Sequence, residues 1–268
     1  MREISYTVPA EFDGVQAQVF LKSRGISRRV LTALKRSGGL TRGGGILRTV
    51  DAVHAGEVIT LQLDGGETSV AANPELSADI VYEDEDVVVF NKPPFMPVHP
   101  SQRHHDDTLA NLFAARYPGL PFRPINRLDR NTSGLCVCAK NQFAAAALSG
   151  SISKVYYAIT DGTPPGDTVD APIGRLGDSV IERCVTPDGK PAVTHFRKIA
   201  GERRALLRIT LETGRTHQIR VHMASIGHPL VGDEVYGPKK CPFKGLQGQT
   251  LHARTLGIIH PSTGEYLE

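Results

Sequence analysis

The string Pro124-Ile-Asn-Arg-Leu-Asp-Arg-Asn-Thr-Ser-Gly134 sets one carboxylate, Asp129, close to Arg127 and Arg130 and just ahead of turn residues. Nearby positive charge favours the ionised form of a carboxyl group. Asp129 is therefore suited to act as a nucleophile or a base, not as an acid. An Arg–Asp pair on a turn is by itself commonly structural, so the rest of the chain must supply the context. Ten histidines raise the question of a metal. His217 and His222 are five apart with no glutamate between them, which does not match the HExxH helix. His104-His105-Asp106-Asp107 reads as a solvated turn or a helix cap, and no metal is expected. Neither a Walker string nor a GxGxxG element is present.

Several elements must position that carboxylate. Val87–Phe90 reads as a strand running into the turn Asn91-Lys-Pro-Pro94, and a helix is expected over Thr108–Tyr117, capped by Asp107 or Thr108. Leu135–Ala139, Lys154–Thr160, Thr194–Ile199 and Ala205–Leu211 alternate or carry β-branched residues as strands do, and a helix is expected from His217 to Ile226. Cys136 and Cys138 would point the same way into the core. Strands and helices follow one another without a βαβ rhythm, which places the chain in the α+β class.

The chain has 268 residues and a formal net charge of only +3, but that charge is segregated. Between Lys22 and Arg48 stand eight basic residues and no acidic one, while Glu67, Glu75, Asp79 and Glu83–Asp86 concentrate the acids downstream. Gly14–Arg24 and the stretch after Ser27, with Val30, Leu31 and Leu34 on one face and Arg28, Arg29, Lys35 and Arg36 around it, read as two short helices. A glycine-rich turn and the alternating Glu57–Leu63 complete a small α/β unit. The organisation expected is a basic domain over 1–65, a polar linker over 66–77 and a second domain over 78–268. No apolar leader or run of membrane-spanning length is found, and four cysteines make no disulfide framework, so a reduced, cytoplasmic protein is expected.

The strings Phe90-Asn-Lys-Pro-Pro, Val98-His-Pro, Arg127-Leu-Asp-Arg, Lys154-Val-Tyr-Tyr-Ala, Gly189-Lys-Pro-Ala, Gly214-Arg-Thr-His-Gln-Ile-Arg220, Gly227-His-Pro-Leu-Val-Gly-Asp233 and Tyr236-Gly237 occur in this order. Together they resemble the RluA-type family of RNA pseudouridine synthases, from about Asp79 onward. The basic unit ahead of them resembles the S4 RNA-binding domain, with Thr41-Arg-Gly-Gly44 where that family has a valine-asparagine-glycine turn. The resemblance implies a mixed, mainly antiparallel sheet with flanking helices. It also implies isomerisation of uridine to pseudouridine in ribosomal or transfer RNA, with RNA as the partner; a monomer is expected, though no residue pattern specifies the oligomeric state. In its terms Asp129 is the catalytic aspartate, Tyr156 stacks on the target uracil, Arg215 pairs with the aspartate and Ile219 walls the base. Arg127, Arg220 and Lys92 are expected at the RNA, as are Arg28 and Arg29 in the first domain; Arg103, Arg123, Arg130 and Arg175 are further candidates for phosphates. Asn126 stands where the family has a histidine, a change expected to alter RNA contacts. The isomerisation needs no redox partner and no phosphate donor, so no cofactor is expected. The alternative is an RNA-binding protein of the same lineage without catalysis, which would have no need of an ionised aspartate.

Overall fold

Ser27 accepts the Val30 N–H and so caps helix α2 (Arg28–Ser37), and Gly38 closes it in the left-handed conformation at φ 69°. Val30, Leu31 and Leu34 are buried, which leaves the arginines of α2 outward. Helix α1 (Ala17–Ser23) starts later than the apolar spacing suggests, because Gly14 and Val15 exchange backbone hydrogen bonds with Val53. Both helices accompany a four-stranded antiparallel sheet of β1 (Arg2–Thr7), β2 (Leu40–Arg42), β3 (Gly45–Ile46) and β4 (Val58–Leu63), in the order β1-β4-β2-β3. Gly43 and Gly44, at φ 55° and 82°, make the two-residue turn between β2 and β3. The computed structural model describes residues 2–63, 68–179, 181–238 and 243–268. Cys241 and the expected linker residues Gly66 and Glu67 lie outside them.

The remaining strands are β5 (Asp79–Glu83), β6 (Val87–Lys92), β7 (Ser133–Ala139), β8 (Ser153–Asp161), β9 (Thr168–Asp170), β10 (Ile173–Arg175), β11 (Arg183–Val185), β12 (Val193–Ala200), β13 (Arg204–Leu211), β14 (Leu251–Ile259) and β15 (Tyr266–Leu267). Nine of them form one sheet in the order β5-β6-β7-β14-β8-β13-β12-β9, with β15 on β14, while β10 and β11 pair separately. Every pairing in the large sheet is antiparallel except that of β7 with β14. At this parallel seam Gly134 lies against Ala253. A Cβ on Gly134 would come within 2.3 Å of the Ala253 carbonyl oxygen, and its φ of 107° suits glycine alone.

Helices α3 (Leu109–Arg116), α4 (Gln142–Leu148) and α5 (Gln218–Ser225) cover the sheet. Leu109 and Phe113 of α3 and Ile219 and Met223 of α5 share one core with Phe90, Cys136, Cys138, Tyr156 and Ile209. Cys136 and Cys138 do face one side, as a spacing of two in a strand requires. Ala144 and Leu148 of α4 pack with Val87, Val89 and Val137 on the other side. Thr108 caps α3 in a capping box with Asn111. Among the described residues no helix is long and apolar enough to cross a membrane.

Helix α4 is the element least visible in the sequence, yet it joins the two units. Asn141 accepts the Ala144 N–H at 2.8 Å and starts an alanine-rich turn of high helix propensity. Phe143, only 2% exposed, then packs among the apolar residues of the N-terminal unit. The connection between the units is tied down as well: Asn111 donates to the Ala71 carbonyl at 2.8 Å, and Asn73 donates to the Asp106 carbonyl at 2.8 Å. Truncating Phe143→Ala removes a buried ring shared by both units. It is expected to cost about 3–5 kcal/mol of stability, read as a lowered denaturation midpoint.

Candidate active site

The Asp129 loop is held from below by Lys92. This side chain is fully buried, and its ammonium donates to the carbonyls of Pro93 (2.8 Å), Met96 (2.8 Å) and Arg130 (3.1 Å). Burial pulls its pKa down to about 8, with the charge of Asp129 among the opposing influences. Three carbonyl acceptors match the three N–H donors of the protonated form, so none is left for a phosphate. Lys92 is thus a support of the loop and not an RNA contact. From the other side Gln249 donates to Thr132 Oγ1 at 3.1 Å, and Ser133 meets His252 at 2.9 Å. Asn126 is also turned inward. Its Oδ1 accepts the Val137 N–H (2.9 Å) and its Nδ2 donates to the Leu135 carbonyl (3.0 Å), so it extends the pairing of β7 and does not reach toward RNA.

The arginine that meets Asp129 is Arg220, in the first turn of α5, and not Arg215. Arg220 Nη1 donates to Asp129 Oδ2 at 3.1 Å, while Nε and Nη2 grip Asp233 at 2.7 and 2.9 Å. Arg215 lies in the loop before the helix. Its Nε is directed to the Pro191 carbonyl at 2.9 Å and its backbone N–H to Gln218 Oε1, which keeps its guanidinium at the pocket's rim. Asp233 is buried and also accepts the N–H groups of Val235 and Tyr236. Burial alone would raise its pKa, but the Arg220 hydrogen bonds and charge outweigh that and hold it below the ordinary carboxylate range. Burial likewise opposes the charge on Arg220, and the two carboxylates overcome it and raise its pKa. Tyr236 places its ring 5.0 Å from the Arg220 guanidinium carbon and its hydroxyl 2.8 Å from His217 Nδ1.

Tyr156 comes from β8, opposite Ile209 of β13 and Ala253 of β14, and is 6% exposed. Burial first, and the charge of Asp129 second, push its phenol pKa up, so the hydroxyl keeps its proton at neutral pH. With Leu211, Ile219 and Leu251 it gives apolar walls to a pocket whose polar side is Asp129, Arg220, His217, Arg127 and Arg215. Six residues singled out in the sequence are therefore brought together: Asp129, Tyr156, Arg215, Arg127, Ile219 and Arg220. Lys92 lies beneath them, and Arg28 and Arg29 stand apart on α2. Asp233, His217 and Tyr236 complete the site; in the sequence they stood in the family's strings with no role in this chemistry assigned to them. The signal for Asp233 and Tyr236 was the string Gly232-Asp-Glu-Val-Tyr-Gly237, whose closing Gly237 lets the backbone fold onto the Asp233 carbonyl, and that for His217 was Gly214-Arg-Thr-His-Gln-Ile-Arg220. Among the described residues no three His, Cys, Asp or Glu side chains group as a metal site.

A pocket that sets one carboxylate and a buried arginine against a tyrosine and aliphatic walls suits chemistry on a nucleobase and its sugar. Known proteins agree. The RNA pseudouridylate synthase family profile matches residues 86–225. The uncharacterized RNA pseudouridine synthase YjbO of Bacillus subtilis (strain 168) is 41% identical over 256 residues, covering 90% of this chain and 89% of its own. Ribosomal large subunit pseudouridine synthase D of Pseudomonas aeruginosa is 38% identical over 274 residues, covering 94% and 85%. The solved structure of human RNA pseudouridylate synthase domain containing 1 aligns with a TM-score of 0.59 at 29% identity, over 72% of this chain and 82% of its own. The chain belongs to the RNA pseudouridylate synthase family, in its RluA-type branch. It is an isomerase that converts uridine in RNA to pseudouridine.

The Arg220–Asp233 pair has a pH signature. The Asp233 carboxyl binds its proton more weakly in the folded chain than in the unfolded one. Its contribution is therefore complete above pH about 4 and lost as the pH falls through the depressed folded value. Asp233→Asn is expected to cost about 3–5 kcal/mol near pH 7 by leaving Arg220 short of a charge partner. The variant should also show a shallower loss of stability below pH about 4 than the wild type, measured by denaturant titrations across pH.

Proposed function

We propose that Asp129 is the nucleophile or general base of the isomerisation, with the target uridine drawn out of its helix and seated between Tyr156 and Ile219. The observation that carries this reading is the placement of an Arg220-bonded carboxylate in the same pocket as a buried tyrosine and aliphatic walls. Breaking the N1–C1′ bond, turning the uracil and rejoining it through C5 requires the base to leave its stack, which costs a few kcal/mol. An aromatic face offsets about 1–3 kcal/mol of that cost. Arg220 aims Asp129 through its hydrogen bond, and the proton on Tyr156 stays in place beside it.

The RNA is read as ribosomal, in the large subunit, because that substrate stands in the name of the Pseudomonas aeruginosa relative. A path for its backbone is supported by a groove lined by Arg175, Arg183, Lys190 and Arg215, which adjoins the pocket at Arg215. A second basic groove is lined by Lys22, Arg28 and Lys35 on the N-terminal unit, with Arg29 exposed on the same helix. This unit, residues 1–65, is read as an S4-like RNA-binding domain joined through 66–77 to the catalytic domain of 78–268. In its hairpin Arg42 is bonded to the Ala52 carbonyl and to Glu57, so the guanidinium braces the unit's own loop and leaves RNA contact to α2. A monomer working in the cytoplasm, without a cofactor, is part of the same reading.

Two experiments test it. Pseudouridines formed in RNA from a strain lacking the gene are mapped by carbodiimide-dependent primer-extension stops. The wild type should add stops in large-subunit ribosomal RNA, and Asp129→Asn should be slower by about a thousandfold or more. Undiminished turnover by that variant would remove Asp129 from its role. For the N-terminal unit, replacing Arg28 and Arg29 together by alanine should weaken RNA binding and flatten its dependence on salt, by about one unit of log–log slope per lost phosphate contact. An unchanged slope would detach α2 from the RNA.

A further inference from the structure

His217 and Phe95 are the two non-glycine residues at positive φ among the described residues, and His217, at φ 57°, lies in the pocket. A backbone held there is strained and persists only where its surroundings enforce it. What the conformation achieves is a defined imidazole. Tyr236 Oη accepts the backbone N–H of Arg183 at 2.9 Å and lies 2.8 Å from His217 Nδ1. A phenol has a single proton; the Arg183 N–H is itself a donor and cannot take it, so the partner open to that proton is Nδ1. Nδ1 is then the acceptor, and the hydrogen of the neutral ring resides on Nε2. Burial, chiefly, keeps His217 below its ordinary pKa and Tyr236 above its own, which favours this neutral pair.

The Nε2–H faces Asp129 Oδ1 across 3.9 Å. That is too long for a hydrogen bond, and it leaves room for one oxygen about 2.8 Å from both atoms. An occupant must accept from the imidazole and donate to the carboxylate. Uracil O2 and O4 only accept, N3–H only donates, and phosphate oxygens in a backbone carry no hydrogen. Within an RNA strand the 3′ and 5′ oxygens are esterified, so the 2′-hydroxyl alone has both capacities. We infer that His217 and Asp129 together form a subsite for the 2′-hydroxyl of the target ribose, with Nε2–H donating to O2′ and the hydroxyl hydrogen directed to Asp129 Oδ1. The inference rests on the reading that Asp129 faces the target nucleotide. It makes His217 a specificity-determining residue that distinguishes ribose from deoxyribose beside the bond to be broken, with Tyr236 as the positioning residue behind it.

The test uses the full chain and an RNA fragment in which the wild type forms pseudouridine, made with ribose or 2′-deoxyribose at that one uridine. The wild type should bind the ribose form about tenfold more tightly, the value of one hydrogen bond. His217→Gln, which keeps an N–H donor near Nε2, should retain most of that preference, and His217→Leu should reduce it to about threefold or less. A wild-type ratio in His217→Leu overturns the inference, and is also the result expected if the gap takes only water. Independently of any variant's folding, 15N spectra of the wild type should show the Nε2–H tautomer for His217. Tyr236→Phe should convert it to a mixture of both tautomers, and an Nδ1–H tautomer in the wild type overturns the inference. Full turnover by Asp129→Asn would instead defeat the reading of Asp129 itself, so the two failures are told apart.

Discussion

The guanidinium of Arg220 is shared between two carboxylates, and the site is organised around that sharing. Two of its nitrogens grip Asp233 and the third reaches Asp129, with the whole side chain 7% exposed. A buried ion pair is costly to desolvate and repays that cost only where its geometry is saturated with hydrogen bonds. Here the saturation comes from the backbone N–H groups of Val235 and Tyr236 on Asp233, and from the close return of Gly237 onto the Asp233 carbonyl. The turn after α5 therefore determines where the arginine points, and the arginine determines the direction of the Asp129 carboxylate. Tyr236 couples the same turn to His217, so one short segment orients both groups that face the carboxylate from α5.

The second constraint is the parallel seam between β7 and β14. The rest of the large sheet is antiparallel, and one parallel junction brings the turn before β7 beside the chain that enters β14. Gly134 permits the close approach there, while Gln249 and His252 bond to Thr132 and Ser133 across the same junction. Lys92, at the end of β6, closes the loop from beneath through the Arg130 carbonyl. The Asp129 loop is thus fastened to three strands. Fastening of this kind holds the carboxylate at one defined place in the pocket, as positioned reactive groups require.

The basic unit is not merely attached by a polar connection. Phe143 enters its core from α4, and residues Ala71 and Asn73 are pinned to α3 and the loop preceding it. An arginine-bearing helix fixed in this way presents its charge at a defined place relative to the pocket. For recognition of a folded RNA such placement matters more than total charge, because phosphates at set spacings carry the shape information.

Local physics made much of this legible in the residues alone. The Ser27 cap, the alternation of β8, β12 and β13, the apolar run of β7 and the span of α3 follow from periods of 2.0 and 3.6, to within a residue or two. The strings around Asp129, Tyr156 and Arg220 also identify residues that the fold gathers into one pocket. Other features depend on neighbours distant in sequence. β1 becomes a strand because β4 is there to pair with it, and α4, short and rich in alanine, is held by packing on both sides. Which of two nearby arginines meets Asp129 was decided by where α5 begins and by Gln218 capturing the Arg215 N–H. Burial decided that Lys92 and Asn126 serve the backbone and not the RNA. The sequence by itself determined which groups are available and where strands and helices run, since both are short-range properties. Only the tertiary structure decided which charges are buried together and which hydrogen bonds they exhaust, because these depend on desolvation and contact between segments about 90 residues apart, as with Asp129 and Arg220.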